Sequence, residues 1–228
     1  PFGWPARSSY FGIVDLAGFP KDVYYMYQSR WRPDKNVLHL YPHWNWKEGD
    51  EIDLWAYYNN ADEVELFVNG KSQGIRTPDK DRYHSSWRVT FEPGTVTAVS
   101  RKGGKEIARK EIRTASAPYG IRLTPDRAVI AADGKDLSYI TAEIIDADGN
   151  PCPTADSEIT FQVSGAGENA GVDNGSPISL ERFKSDRRKA FNGKALLIVR
   201  NNGKAGEITI EASADGLVQA KHIIMTDK

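Results

Sequence analysis

The chain has 228 residues, 39% hydrophobic and 27% charged, and its 30 Lys and Arg against 31 Asp and Glu leave a formal net charge of -1. This is globular composition: the charge balance gives no basic field for nucleic acid, and no run approaches the roughly 20 apolar residues of a membrane helix. The opening Pro1-Phe2-Gly3-Trp4 has neither the basic start nor the apolar run of a signal peptide, and a lone Cys152 excludes an internal disulfide and cysteine-based zinc sites.

Aromatic residues are spread unevenly. All six Trp and eight of the ten Tyr lie before residue 90, whereas residues 116–228 contain no Trp. After an aromatic opening from Phe2 to Gly12, Gly18-Phe19-Pro20-Lys21-Asp22 leads into Val23, Tyr24, Tyr27 and Trp31, the spacing of one helix face. Pro20 suits a first helical turn, where its missing N–H costs nothing, and Pro33 ends the pattern, so a helix is predicted over 20–31. So many large aromatics on a lone helix need something to cover, either the sheet that follows or a domain outside this chain.

From Val37 to Arg113 the pattern is of strands and tight turns. Glu63 to Val68 alternate before Asn69-Gly70, the favoured pair for a two-residue hairpin. Trp87, Val89 and Phe91 alternate before Pro93-Gly94, and Val96 to Val99 run on to the two-residue turn Gly103-Gly104. A small antiparallel sandwich follows from this. Small residues and Pro118 mark a seam at 114–118. Beyond it, Ile140, Ala142 and Ile144 share a face, Asp148-Gly149-Asn150 reads as a turn, and runs at 159–163, 195–199, 208–210 and 218–225 have the intervals of a seven-strand-like sandwich. The predicted fold class is mostly β, with two consecutive antiparallel β-sandwiches behind a short loop and helix; the boundaries are 1–32, 33–115 and 116–228.

Self-contained chemistry is scarce. None of His39, His43, His84 and His222 accompanies a Gly-x-Ser-x-Gly elbow, and Cys152 lies between two prolines. Leu40-Tyr41-Pro42 prevents His39 and His43 from sharing a helix face as metal ligands. Asp146 to Asn150 superficially resembles a calcium loop but lacks its later Gly and closing Glu, so it is read as a turn. Asn174-Gly175-Ser176 fits a glycosylation acceptor and a turn equally. No metal and no cofactor is expected. Two short aromatic segments, 2–12 and 41–46, are suited to stacking on the C–H face of a sugar, with neighbouring Arg, Asn and Ser for its hydroxyls. The competing reading of Trp44 and Trp46, two apart, places one in a core and the other over a domain junction.

The run Ser9-Tyr10-Phe11-Gly12-Ile13-Val14-Asp15-Leu16-Ala17-Gly18-Phe19-Pro20-Lys21-Asp22, with Tyr41-Pro42-His43-Trp44-Asn45-Trp46, closely resembles glycoside hydrolase family 2 β-galactosidases of the Bacteroides type. Asp62 to Ser72 with Gly74 looks like the domain that follows the catalytic barrel in that family. Residues 119–226, with Ala132 to Asp136, Asp146 to Asn150 and Ala190 to Ala195, resemble its C-terminal bacterial Ig-like domain.

The resemblance implies a parent that hydrolyses terminal β-linked galactose with retention, using two Glu of a (β/α)8 barrel, both upstream of residue 1. It implies that residues 1–17 are the loop after the last barrel strand and that the helix is the last barrel helix. The chain alone is then inactive, since such sites collect residues from several strands. Trp4, Arg7, Ser8 and Tyr10, with Trp44 and Trp46, are the candidates for the substrate rim. The expected partners are the upstream barrel and, through it, galactosyl glycans, in the periplasm or outside the cell. The alternatives are a carbohydrate-binding module, with Trp55 and Tyr57 on one strand face as the platform if they are exposed, or an Ig-like adhesion or spacer module.

Overall fold

The computed structural model describes residues 6–8, 11–79 and 82–227, which fall into two units, 20–114 and 115–227 together with the described residues up to Phe19. The stretch 1–32, expected as one block, is therefore divided. The helix goes with the first unit and residues 6–8 and 11–19 with the second, because each makes its contacts there.

In the first unit α1 spans Asp22–Trp31 and starts two residues later than predicted, after Pro20 and the extended Lys21. It ends at Arg32, whose N–H still bonds to the Gln28 carbonyl at 3.0 Å but whose ψ of 69° leaves helical space, as a residue before proline requires. Seven strands follow: β1 (Leu38–Tyr41), β2 (Glu51–Tyr58), β3 (Glu63–Val68), β4 (Lys71–Arg76), β5 (Ser85–Thr90), β6 (Thr95–Lys102) and β7 (Lys105–Arg113). They form two antiparallel sheets, β1-β2-β5 and β4-β3-β6-β7. Asn69 (φ 49°) and Gly70 (φ 77°) make the β3–β4 turn, and Gly103 (φ 53°) and Gly104 (φ 75°) the β6–β7 turn. Both positions of each turn are left-handed, as a type I′ hairpin demands.

Period-two alternation then fills the space between the sheets. Leu40, Ile52, Leu54, Ala56, Trp87 and Val89 from one sheet meet Val64, Leu66, Val68, Val96 and Ala98 from the other.

The second unit contains β8 (Gly120–Pro125), β9 (Val129–Ala131), β10 (Leu137–Ile145), β11 (Glu158–Gly165), β12 (Gly167–Asp173), β13 (Arg187–Lys189), β14 (Lys194–Asn201), β15 (Gly206–Ser213) and β16 (Ala220–Asp227). Its sheets are β12-β14-β10-β8 and β13-β11-β15-β16-β9, antiparallel except for the short β9 beside β16. The core between them is almost wholly aliphatic, with Ile140, Ile144, Ile159, Leu197, Ile208 and Ile210 fully enclosed and Phe161 as its aromatic member.

Asp146 to Asn150 forms a turn, with Gly149 at φ 82°, that closes a short hairpin: Ile145 bridges Pro151 antiparallel, and the Asp146 and Cys152 N–H groups donate to the Asn150 and Ile144 carbonyls, each at 2.9 Å, before the chain crosses to the other sheet for β11. The Asp146 carboxylate is the hub of this crossing. It accepts the N–H groups of Ser116 (2.9 Å), Asp148 (3.0 Å) and Asn150 (2.8 Å) and the Asn150 side-chain amide (3.0 Å). Burial alone would raise its pKa, but the Asn150 side chain and these backbone donors outweigh that and hold it at about 2. Its acceptor sites are thus spent on N–H donors rather than offered to a cation.

Candidate functional site

The outer face of sheet β1-β2-β5 carries the side chains that alternate with the core. His39 and Tyr41 of β1 lie beside Trp55 and Tyr57 of β2, with His39 opposite Tyr57 and Tyr41 opposite Trp55. The rings form a continuous layer. Tyr25 of α1 stacks on His39 (3.8 Å, 9°), Tyr41 meets Tyr57 at 4.9 Å and Trp55 at 5.9 Å, and His84 lies flat on Trp55 (3.8 Å, 3°). His39 Nε2 also bonds Asp22 at the start of the helix at 2.8 Å. The helix is thus fixed to the sheet through an aromatic layer, and Tyr57 is only 8% exposed. This corrects the expected Trp55/Tyr57 sugar platform: Tyr57 is enclosed, and the half-buried Trp55 is stacked on His84.

The opposite side of α1 is different. Val23, Tyr24 and Tyr27 are half-buried, and Trp31, tilted against Tyr27 at 4.8 Å, is 69% exposed.

Trp44 is removed from the substrate-rim candidates. It is 1% exposed, packs edge-on to Phe91 at 4.9 Å and donates its indole N–H to the Glu92 carbonyl at 3.0 Å, which makes it a core residue. Trp46 stays at the surface, stacked on His43 at 4.7 Å, with its N–H on the His43 carbonyl at 2.8 Å. The two lie in a loop, so their spacing of two is not the alternation of a strand. Burial holds the His43 imidazole below its usual pKa, and its Nδ1 accepts the Asn45 N–H at 3.2 Å. Among the described residues no three His, Cys, Asp or Glu gather as a metal site.

In the second unit, residues 6–8 and 11–19 form a strap against the 173–194 region. The Arg7 N–H donates to the Pro177 carbonyl at 2.6 Å, and its guanidinium lies 5.5 Å from the Phe183 ring centre. Ser8 is half-buried. Trp4 and Tyr10 lie outside the described residues. Asp15 accepts the N–H groups of Ala17 and Phe19, each at 2.9 Å, and its carboxylate presses on Gly175. Only glycine suits that position: φ is +76°, and an added Cβ would come within 2.1 Å of Asp15 Oδ2.

Arg188 holds the receiving loop from below. It is 1% exposed, pairs with Asp173 at 2.9 Å, donates to the Glu181 carbonyl at 3.1 Å, and lies 5.4 Å from the Phe183 centroid. The sequence gives no sign of this, since Arg188 sits inside the basic run Arg187-Arg188-Lys189. Asn174 is 3% exposed and gives its amide N–H to the Lys189 carbonyl at 2.8 Å, so the turn reading of this Asn-Gly-Ser holds and its amide is closed to a glycan. Cys152 is buried, and burial, with Asp146 nearby, pushes its thiol pKa up, which disfavours the thiolate a nucleophile needs.

Comparisons with known proteins agree on where such a chain belongs. Residues 121–222 match the family model "Glycoside hydrolase family 2 C-terminal domain 5", and residues 49–108 match "Domain of unknown function (DUF4982)". The Bacteroides ovatus protein "Beta-galactosidase BoGH2A" is 62% identical over 96% of this chain, which spans 26% of that protein. A Formosa agariphila "Beta-glucuronidase" is 30% identical over 90% of the chain, which spans 21% of it. The solved structure of a Bacteroides vulgatus β-glycosidase superposes with a TM-score of 0.92 at 36% identity, over 97% of this chain and 29% of that one. The chain spans only about a quarter of the length of these relatives. By sequence and by fold, it belongs with the C-terminal region of glycoside hydrolase family 2 proteins.

Proposed function

We propose that this chain is the non-catalytic C-terminal accessory region of a retaining family 2 β-galactosidase that acts on glycans in the periplasm or outside the cell. In the parent, one Glu of an upstream (β/α)8 barrel attacks the anomeric carbon, while the other protonates the leaving oxygen and then activates water. The first sandwich carries the last barrel helix, and the second holds the strap that follows the last barrel strand. Arg7 and Ser8 of that strap line the leaving-group side of the site.

The observation that carries this reading is the two-sided helix. One side of α1 is committed to the aromatic layer through Tyr25 and His39, while the other presents Tyr24, Tyr27 and a 69% exposed Trp31. A helix that needed only its own sandwich would carry polar residues there. The enclosed Tyr57 supports a structural role for this unit over a Trp55/Tyr57 binding platform.

The test compares this chain with a parent that also carries the barrel. Trp31 fluorescence, assigned with a Trp31→Phe variant, is expected to be quenched by acrylamide in the chain alone and shielded in the parent. Equal quenching in both would overturn the assignment of α1 as a barrel helix.

A further inference from the structure

The loop after β12 in the second unit exposes apolar side chains that its own sandwich leaves unused. Ile178, Leu180 and Phe183, three of six consecutive residues, are 43%, 66% and 46% exposed. A single exposed leucine is ordinary, but three large apolar side chains in one short loop mark a surface that meets another protein.

The loop holds a fixed shape. Pro177 at its start is buried, and the Phe183 carbonyl at its end accepts the Val172 N–H of β12 at 2.8 Å. Between them, the Ser179 hydroxyl donates to the Glu181 carboxylate at 2.9 Å, which in turn accepts the Lys189 N–H at 3.0 Å, while the Glu181 carbonyl takes the buried Arg188 at 3.1 Å. Asn174 Oδ1 accepts the Ser176 N–H at 3.0 Å. The polar side chains of the loop are therefore engaged in shaping it. Ile178 and Leu180 offer no ring to a sugar, and the Phe183 ring already carries the guanidinium groups of Arg7 and Arg188, 5.5 and 5.4 Å from its centre. Sugar recognition needs an aromatic face and free hydrogen-bonding groups, whereas a pre-shaped aliphatic surface suits an apolar protein surface.

The path of the strap says which one. Asp15 lies against Gly175 at the root of the loop, and Arg7 reaches Pro177 and Phe183, so the chain read backward from Phe19 runs along the loop. Only six residues separate Arg7 from residue 1, and six extended residues reach no further than about 22 Å. The chain spans about a quarter of the length of its relatives and corresponds to their C-terminal region. Whatever domain precedes residue 1 in the parent is thus tethered beside Ile178 and Leu180.

We propose that the 177–183 loop is a docking surface for the catalytic domain that precedes residue 1, with Ile178, Leu180 and Phe183 seated on an apolar patch of that domain beside the point where the strap leaves it. The second sandwich is then a clamp on the catalytic domain rather than a spacer trailing behind the first. The inference rests on the reading of this chain as an accessory region of a larger glycosidase, but it does not depend on α1 being a barrel helix.

The experiment places a thiol on the loop with Ile178→Cys and, separately, Leu180→Cys, and at a distant control position with Lys221→Cys, whose native side chain is 58% exposed. Each is made in the 228-residue chain and in a parent carrying the barrel, and N-ethylmaleimide labelling of each position is followed by peptide mass spectrometry. The buried native Cys152 leaves the readout clear in the chain. Rapid labelling of all three positions is expected in the chain, and in the parent at least about tenfold slower labelling at 178 and 180 with the rate at 221 unchanged. Equal rates at the loop in chain and parent, or equal slowing at 221, would overturn the proposal. So would protection in the chain alone, whether lost on dilution, which would put a second copy on the loop, or induced by galactosyl oligosaccharides, which would put a glycan there. Acrylamide quenching of Trp31 in the same parent separates the two assignments: a shielded Trp31 with reactive loop thiols rejects the docking alone, and an open Trp31 with protected loop thiols rejects the helix assignment and keeps the docking.

Discussion

The two sandwiches reach a similar architecture with different residues. The second is closed by aliphatic side chains, and its special features are buried polar hubs, Asp146 at the sheet crossing and Arg188 with Asp173 beneath the strap. The first places Trp44 and Trp87 in its core and then builds an aromatic layer on the outside of one sheet, with a helix over it. The difference lies in where the large and the charged side chains go: the first unit sets aromatic rings on both faces of one sheet, whereas the second keeps charged groups buried beneath its turns.

The sharpest way to break that comparison is to remove one keystone from each unit. Trp44→Ala is expected to cost the first unit about 3–5 kcal/mol through its cavity. Arg188→Ala should cost the second about 3–5 kcal/mol by leaving Asp173 buried without its counter-charge. Calorimetry should show one transition moving in each variant while the other stays. If both move together in both variants, the units are not separate in stability.

A smaller effect is expected at the Asp146 hub. Asp146→Asn removes charged acceptors from several N–H donors, for about 1.5–3 kcal/mol. The folded pKa of about 2 lies below the about 3.9 of an unfolded Asp, so the stabilisation is complete above about pH 4 and disappears as pH falls through 2. Urea unfolding at pH 7 and pH 2.5 should therefore show the gap between wild type and variant narrowing in acid.

Glycine substitutions give a finer contrast. Gly70→Ala at φ 77° should cost about 1–2 kcal/mol from backbone strain alone, since nothing lies near its Cβ position. Gly175→Ala should cost more, because the added Cβ also displaces Asp15 and with it the strap. Limited proteolysis of residues 11–19 should accelerate in Gly175→Ala and not in Gly70→Ala. Smallest of all, Trp31→Ala should change the chain's stability by no more than about 0.5 kcal/mol, because that ring contributes little burial here.

What the sequence revealed was local. Asn69-Gly70 and Gly103-Gly104 specify their hairpins because few residues tolerate two successive left-handed positions, and Pro33 marks the helix end because it constrains Arg32. What it hid was long-range. Asp148-Gly149-Asn150 closes a local hairpin at Ile145 and Pro151, as its composition indicates, but that β11 then joins the other sheet is a choice made by the whole core. Trp44 and Trp46 share a motif, but only the path of the loop sends Trp44 inward. Arg188 is one of three consecutive basic residues, and its burial follows from pairing opposite Ile159, not from any pattern near it. The contact of Arg30 with the Tyr83 ring joins residues more than 50 positions apart, beyond the reach of spacing arguments.

The central claim is that this region supports a glycosidase without being one. Its most direct test is hydrolysis of 4-nitrophenyl β-galactoside by the purified 228-residue chain, beside a parent that carries the barrel. The account predicts nitrophenol release at the buffer rate from the chain and saturable turnover from the parent. Saturable turnover by the chain alone would contradict it and would require a catalytic carboxylate pair within these two sandwiches.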